Sequence, residues 1–126
     1  MATRSHIGIL NEDKTVFFVY CHHDGYPSGV GKTLKENYDR PEDVFNLLSF
    51  GDISILNNTI EDSVFYKRDK NETDVDQAQT TLEKFITKSP GIDFKYLYDV
   101  KTEEWSCRDW VGTLIKIPTE NIDIIR

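Results

Sequence analysis

A chain of 126 residues is long enough to bury one core and too short for two, and 38% hydrophobic residues with 12% aromatics exclude a disordered polypeptide, so residues 1–126 read as a single domain. Fifteen basic residues against twenty-two acidic ones leave a net charge of −7, which repels a DNA or RNA duplex and confines anion recognition to a small ligand met by a local cluster of cations and N–H groups. The opening MATRSHIGIL carries no leader pattern and no apolar run nears the ~18 residues of a membrane span, so a cytosolic protein that stays off the membrane is expected.

Residues 2–10 and 15–22 predict two strands joined by the turn Asn11-Glu12-Asp13-Lys14, because β-branched and aromatic residues dominate both sides of a polar break. Alternation puts Arg4 and His6 on one face of the first strand and Ser5, Ile7 and Ile9 on the other; on the second, Val16, Phe18, Tyr20 and His22 alternate with Phe17, Val19 and Cys21. Few positions of the second strand look solvent-facing, which places it centrally. After the turn residues 23–29, the spacing Val30, Leu34, Tyr38 predicts a short helix. Pro41 with Glu42 and Asp43 opens another, striped by Val44, Leu47 and Leu48 and stopped by Gly51.

Residues 52–63 carry no clear pattern, and Val64 to Lys67 read as a short strand before a polar loop. Asp74 as N-cap with Gln77 three residues on, then Val75, Ala78, Leu82, Phe85 and Ile86, predicts the best-marked helix of the chain, ended by Pro90-Gly91. Residues 93–100 and about 103–110 predict a hairpin across Lys101-Thr102, with Phe94, Tyr96, Tyr98 and Val100 on one face; the pairing of the tail from Val111 is open. Strands at both ends with helices between them make an α+β fold: an antiparallel sheet carrying about three helices, expected on one face.

Several motifs invite chemistry. The segment Gly25-Tyr-Pro-Ser-Gly-Val-Gly31-Lys32-Thr33 follows a strand and opens a helix like a P-loop, but five residues separate Gly25 from Gly31 where four are required, which excludes a nucleotide triphosphatase. Free N–H groups around Gly29 to Lys32, with the Lys32 charge, would still make an anion seat; the alternative is that the glycines only let the chain turn. Cys21 and His23 alternate with His22 and Asp24 on a strand, so the four cannot meet one metal, and no metal or cofactor is expected. Cys21 and Cys107 lie in no Cys-x-x-Cys pattern and read as reduced thiols. No nucleophile elbow is present, and no catalytic residue is assigned. On the final hairpin, Phe94, Tyr96 and Tyr98 on one strand with Trp105, Arg108 and Trp110 on the next could stack a base, or the rings could be core with Arg108 meeting an acid.

The stretches Thr3-Arg4-Ser5-His6-Ile7-Gly8-Ile9, Tyr20-Cys21-His22-His23-Asp24-Gly25-Tyr26-Pro27-Ser28-Gly29-Val30-Gly31 and Gly51-Asp52-Ile53-Ser54 resemble the first family of Thoeris anti-defence proteins, which are small and phage-encoded. The resemblance covers roughly the first 56 residues and, beyond them, the final aromatic hairpin alone. It implies a sponge that binds and holds a cyclic ADP-ribose isomer (glycocyclic ADP-ribose) made by a bacterial TIR-domain enzyme, without cleaving it, in the host cytosol and as a homo-oligomer. Relatives that trap cyclic oligonucleotides make those a second expected ligand class. The family carries Trp where this chain has His23. The ligand contacts implied are Arg4, His22, Asp24, Gly25 and Tyr26 from the matching motifs; Lys32 joins them as a helix-start cation, and Phe85, Tyr96, Trp105 and Arg108 as ring or guanidinium faces.

Such a sponge needs no base, metal or nucleophile, and nanomolar holding takes about −12 kcal/mol, which requires a deep or interfacial pocket. Two other readings compete: an inhibitor that docks on a host protein through its acidic face, and a small hydrolase using His22 and Asp24 as acid and base.

Overall fold

The structure, a computed structural model, describes residues 2–87 and 89–118. The expected domain span also includes Met1, Lys88 and residues 119–126, which lie outside the described residues. The first hairpin forms as predicted: β1 (Ser5–Leu10) pairs antiparallel with β2 (Thr15–Cys21). Asp13 closes its turn by accepting from the Thr15 N–H (3.0 Å) and hydroxyl (2.6 Å). A π-helical turn, Pro27–Gly31, runs into α1 (Lys32–Asn37), and α2 (Pro41–Ser49) opens on Pro41 as expected. Gly51, at φ +82°, turns the chain just beyond α2 and lies so close to the Val75 carbonyl that a Cβ would clash.

The stretch without a clear pattern contributes β3 (Ile53–Ile55), and β4 (Val64–Phe65) is followed at once by α3 (Tyr66–Lys70), so the short strand predicted to Lys67 ends two residues early. The hairpin β6 (Phe94–Asp99) and β7 (Glu104–Asp109) forms in the expected place, and the tail pairs through β8 (Leu114–Ile115).

The helix predicted from Asp74 does not form over its first half. Residues Ala78–Thr81 are instead β5, antiparallel to β2, and only Leu82–Ile86 are helical, as α4. The Asp74 pattern fails because the edge of β2 over Thr15–Phe18 offers a row of backbone groups that 78–81 can pair, and a sheet edge is costly to leave open. Asp74 itself sits at φ +60°, outside any helix, and the working N-cap is Thr81, whose hydroxyl accepts the Lys84 N–H at 3.2 Å.

The eight strands of the described residues form one sheet in the order β4-β3-β2-β1-β6-β7-β8, with β5 also on β2, so the fold is α+β as expected. The sheet is mostly antiparallel, with two parallel pairs: β1 with β6, and β2 with β3 at Cys21. β2 is central, flanked by β1 on one side and by β5 and β3 in succession on the other. One face, with Ile7, Ile9, Val19, Tyr96 and Tyr98, packs against Val30 and Leu34 and the Val44, Leu47 and Leu48 stripe of α2.

Helices lie on both faces rather than one. Leu10 and Val16 on the opposite face pack under Phe85 of α4, and Gly8 sits where a Cβ would come within 3.0 Å of the Phe85 ring. No helix among the described residues is long and apolar enough to cross a membrane.

Candidate functional site

Because β2 runs antiparallel and β6 parallel to β1, the start of β1, the end of β2 and the start of β6 meet at one end of the sheet. There, on the face away from α1 and α2, Ala2, Arg4, His22, Gly91 and Asp93 line a cleft of about 400 Å³. That volume is within the roughly 300–1,000 Å³ of small-molecule sites. The main chain of Arg4 is fixed: its N–H donates to Asp93 Oδ2 (3.0 Å), and its carbonyl accepts from the Asp93 (2.9 Å) and Phe94 (3.3 Å) N–H groups. Its side chain is exposed, lies beside Gly91, and has no ion pair among the described residues. His22 Nδ1 shares a 2.6 Å hydrogen bond with the Tyr20 hydroxyl, and its ring lies 4.6 Å from that of His23. Partial burial, then the neighbouring His23, Arg4 and Lys70, hold the His22 imidazole below its ordinary pKa, so it is neutral near pH 7.

One step further into the sheet on this face, the register sets Arg108, Lys95, His6 and Tyr20 side by side across β7, β6, β1 and β2. Lys95 is 1% exposed, and its ammonium has no hydrogen-bond partner among the described residues. Burial lowers its pKa. His6 packs against the rings of Phe18 (4.9 Å) and Phe85 (6.3 Å); burial first, and the Lys95 charge second, push its pKa down to about 4. This end of the sheet thus gathers Arg4, Lys95 and Arg108 on a protein of net charge −7.

The residues marked by the sequence divide sharply. Arg4 and His22 share the cleft. Gly25 is structural: its N–H donates to Thr3 O (2.9 Å), its carbonyl accepts from the Tyr96 hydroxyl (2.6 Å), and a Cβ would stand 2.7 Å from Thr3 O. Gly25→Ala is therefore expected to destabilise the fold by about 1–3 kcal/mol in chemical denaturation; an unchanged midpoint would contradict this packing. Asp24, at φ +58°, accepts from the Tyr26 hydroxyl (3.2 Å) in the turn next to the cleft, and neither residue lines it.

Five expected contacts are corrected. The anion seat before α1 is not built: the Gly29, Val30 and Lys32 N–H groups donate to carbonyls of Tyr26, Asp24, and Pro27 and Gly29, so the glycines serve the turn, and Lys32 is not among the cleft residues. Phe85 is 4% exposed and packs as core. Tyr96 is fully buried, its hydroxyl pKa driven up by burial, and supports the Gly25 turn from below. Trp105 stands at the opposite end of the sheet, where its Nε1 donates to Tyr38 O (2.7 Å) and where Asp39, Glu103 and Glu104 outnumber Lys35 around its depression, a net acidic setting that disfavours a phosphorylated ligand. Arg108 is on the right face, but its Nη1 donates to Gly112 O (2.6 Å) and holds the turn into β8.

Both cysteines are free and buried; burial pushes Cys21 up to about 12 and Cys107 to about 11, so neither is a thiolate at neutral pH. Sequence reasoning missed Lys95, which reads as one polar residue in an aromatic strand. The signal available was the period-2 pairing of Arg4 with His6 and of Tyr20 with His22; the parallel β1–β6 register that adds Lys95 is not legible in a single sequence. Compared with protein-family models, curated proteins and solved structures, the chain returns no match.

Proposed function

We propose that this chain binds and holds a small anionic nucleotide, a cyclic ADP-ribose isomer being the first candidate and cyclic oligonucleotides the second, without cleaving it. The observation that carries the reading is the meeting of Arg4 and His22, at the facing ends of the β1–β2 hairpin and both within the stretches that resemble the anti-defence family, in one cleft of small-molecule size. Arg4 supplies a guanidinium unencumbered by any ion pair among the described residues, suited to bidentate phosphate contact. A neutral His22, with Nδ1 engaged by Tyr20, can offer Nε2 to a ribose or base edge.

A further observation favours holding over hydrolysis. His22 is bonded to Tyr20 and Asp24 to Tyr26, so the acid–base pair a hydrolase would need is divided between two other partners. The cleft is open at one end of the sheet, and a second copy closing over it would supply the burial that tight holding demands; a homo-oligomer in the bacterial cytosol fits this reading.

Calorimetric titration with cyclised ADP-ribose isomers, followed by heat denaturation and chromatography of the released nucleotide, tests it. Saturable binding with recovery of intact ligand is expected. A chemically altered nucleotide would instead make the protein an enzyme, and no heat of binding with either ligand class would turn attention to a protein partner.

A further inference from the structure

Lys95 poses a problem that the fold alone does not answer. A lysine inside a sheet ordinarily either reaches water with its ammonium or pairs it with a carboxylate or carbonyl, because an unpaired buried charge is among the most unfavourable features a fold can carry. Here the side chain is 1% exposed and the ammonium has no hydrogen-bond partner among the described residues. Its neighbours in register are His6, whose ring is packed among aromatics and adds no negative charge, and Arg108, a second cation. Nothing in that row compensates it.

The placement suggests what does. Lys95 stands two residues beyond Asp93 on the same face, about 6.6 Å further along the strand from the cleft lining. His6, beside it in register, is likewise two residues beyond Arg4. Arg4 puts a planar guanidinium in the cleft lining, and the register puts an unpartnered ammonium one step behind that lining, so the two make a pair of cationic points for linked anionic groups. Asp93, the carboxylate in the lining, is turned to the Arg4 N–H at 3.0 Å, which holds it against the main chain.

We propose that Lys95 is the deep contact of this site, its ammonium left unpartnered in the free protein to receive one phosphate of a diphosphate-bearing ligand whose other phosphate is held by Arg4. The inference rests on the anion-binding reading above and names the part of the ligand recognised there. Residues selected for the free fold would pair or replace this lysine, so its removal separates the two roles: the free protein gains stability and the site loses affinity.

The test uses the full chain, with inorganic pyrophosphate as the probe. Wild type and Lys95→Met are compared by thermal denaturation without ligand and by calorimetric titration with pyrophosphate, and the Lys95 side-chain resonance of lysine-labelled wild type is followed through the same titration. A higher midpoint for Lys95→Met, an affinity lower by about ten- to a hundredfold, and a shifted Lys95 resonance are expected. Equal affinity in the two proteins, a Lys95 signal unmoved at saturation, or no pyrophosphate binding by wild type overturns the proposal. If the variant fails to fold, the resonance in wild type decides alone. A parallel titration with cyclic ADP-ribose keeps the two ideas separate: undiminished binding by Lys95→Met rejects the lysine's role and leaves the nucleotide reading standing, whereas binding of pyrophosphate without cyclic ADP-ribose does the reverse.

Discussion

As the pH falls from 6.5 to about 4, the protein is expected to lose about 3 kcal/mol of stability through one imidazole, that of His6. In the unfolded chain this ring takes up a proton near its model value of 6.5; in the fold, burial and then the Lys95 charge delay that step to about 4. Between these values the unfolded state binds more protons than the native state, so stability declines with falling pH and the contribution levels off below the folded value. His22 is shifted the same way, but its more open position discounts its share. Asp52 is raised by burial, so its folded form takes up a proton earlier and opposes the trend as acid is added, while the depressed Asp13 and Asp69 lose their contributions only at lower pH. Urea denaturation of wild type and His6→Gln across this range isolates the ring, because the other groups are common to both. The wild-type curve should fall more steeply with acid than the variant curve; parallel curves would mean that His6 titrates normally and that its packing is looser than the structure gives.

The residues that make this prediction possible also show what a single sequence exposes. Alternation along β1 and β2 is local, so the pairing of Arg4 with His6 and of Tyr20 with His22 on one face could be read directly, as could the two hairpins and the Pro41 start of α2. Residues 74–86 show the limit. Asp74, Gln77 and the spacing of Ala78, Leu82 and Phe85 are a fair helix pattern, yet the edge of β2 at Thr15–Phe18 takes 78–81 as a strand, a demand made by residues some sixty positions away. Phe85 lies on the apolar stripe under either structure, and that stripe, rather than a ligand-facing role, is what its packing against β1 and β2 bears out.

The same limit applies to the site. Trp105 and Arg108 belong to one predicted strand and were natural partners for a stacked base, but the two sit on opposite faces three residues apart, and Trp105 lies toward the end of the sheet remote from the cleft. Only the parallel register of β1 with β6 reveals that Lys95, rather than any ring of the hairpin, neighbours His6 behind Arg4. Non-local strand order decides which motif residues converge, and it is the part of the fold least encoded in local pattern.

Arg4→Ala is expected to weaken binding of cyclised ADP-ribose by about ten- to a hundredfold while leaving folding within about 0.5 kcal/mol of wild type. The separation follows from how the residue is held. Every hydrogen bond described for Arg4 is made by its main chain, to Asp93 and Phe94, so truncating the exposed guanidinium breaks no described contact of the fold. Arg4→Glu should lower affinity further, since it sets a carboxylate beside Asp93 at the mouth of the cleft. Raising the salt concentration should reduce wild-type affinity and change that of Arg4→Ala less, because an exposed charge is the one most screened. Trp105→Ala supplies the contrast: it removes the hydrogen bond to Tyr38 and the edge contact with Tyr98, lowering stability, while the cleft at the other end of the sheet keeps its ligand contacts. Calorimetric affinities and thermal midpoints measured on the three variants therefore locate the site. Lost binding in Trp105→Ala with full binding in Arg4→Ala would move it to the acidic end of the sheet and remove the basis for the nucleotide reading.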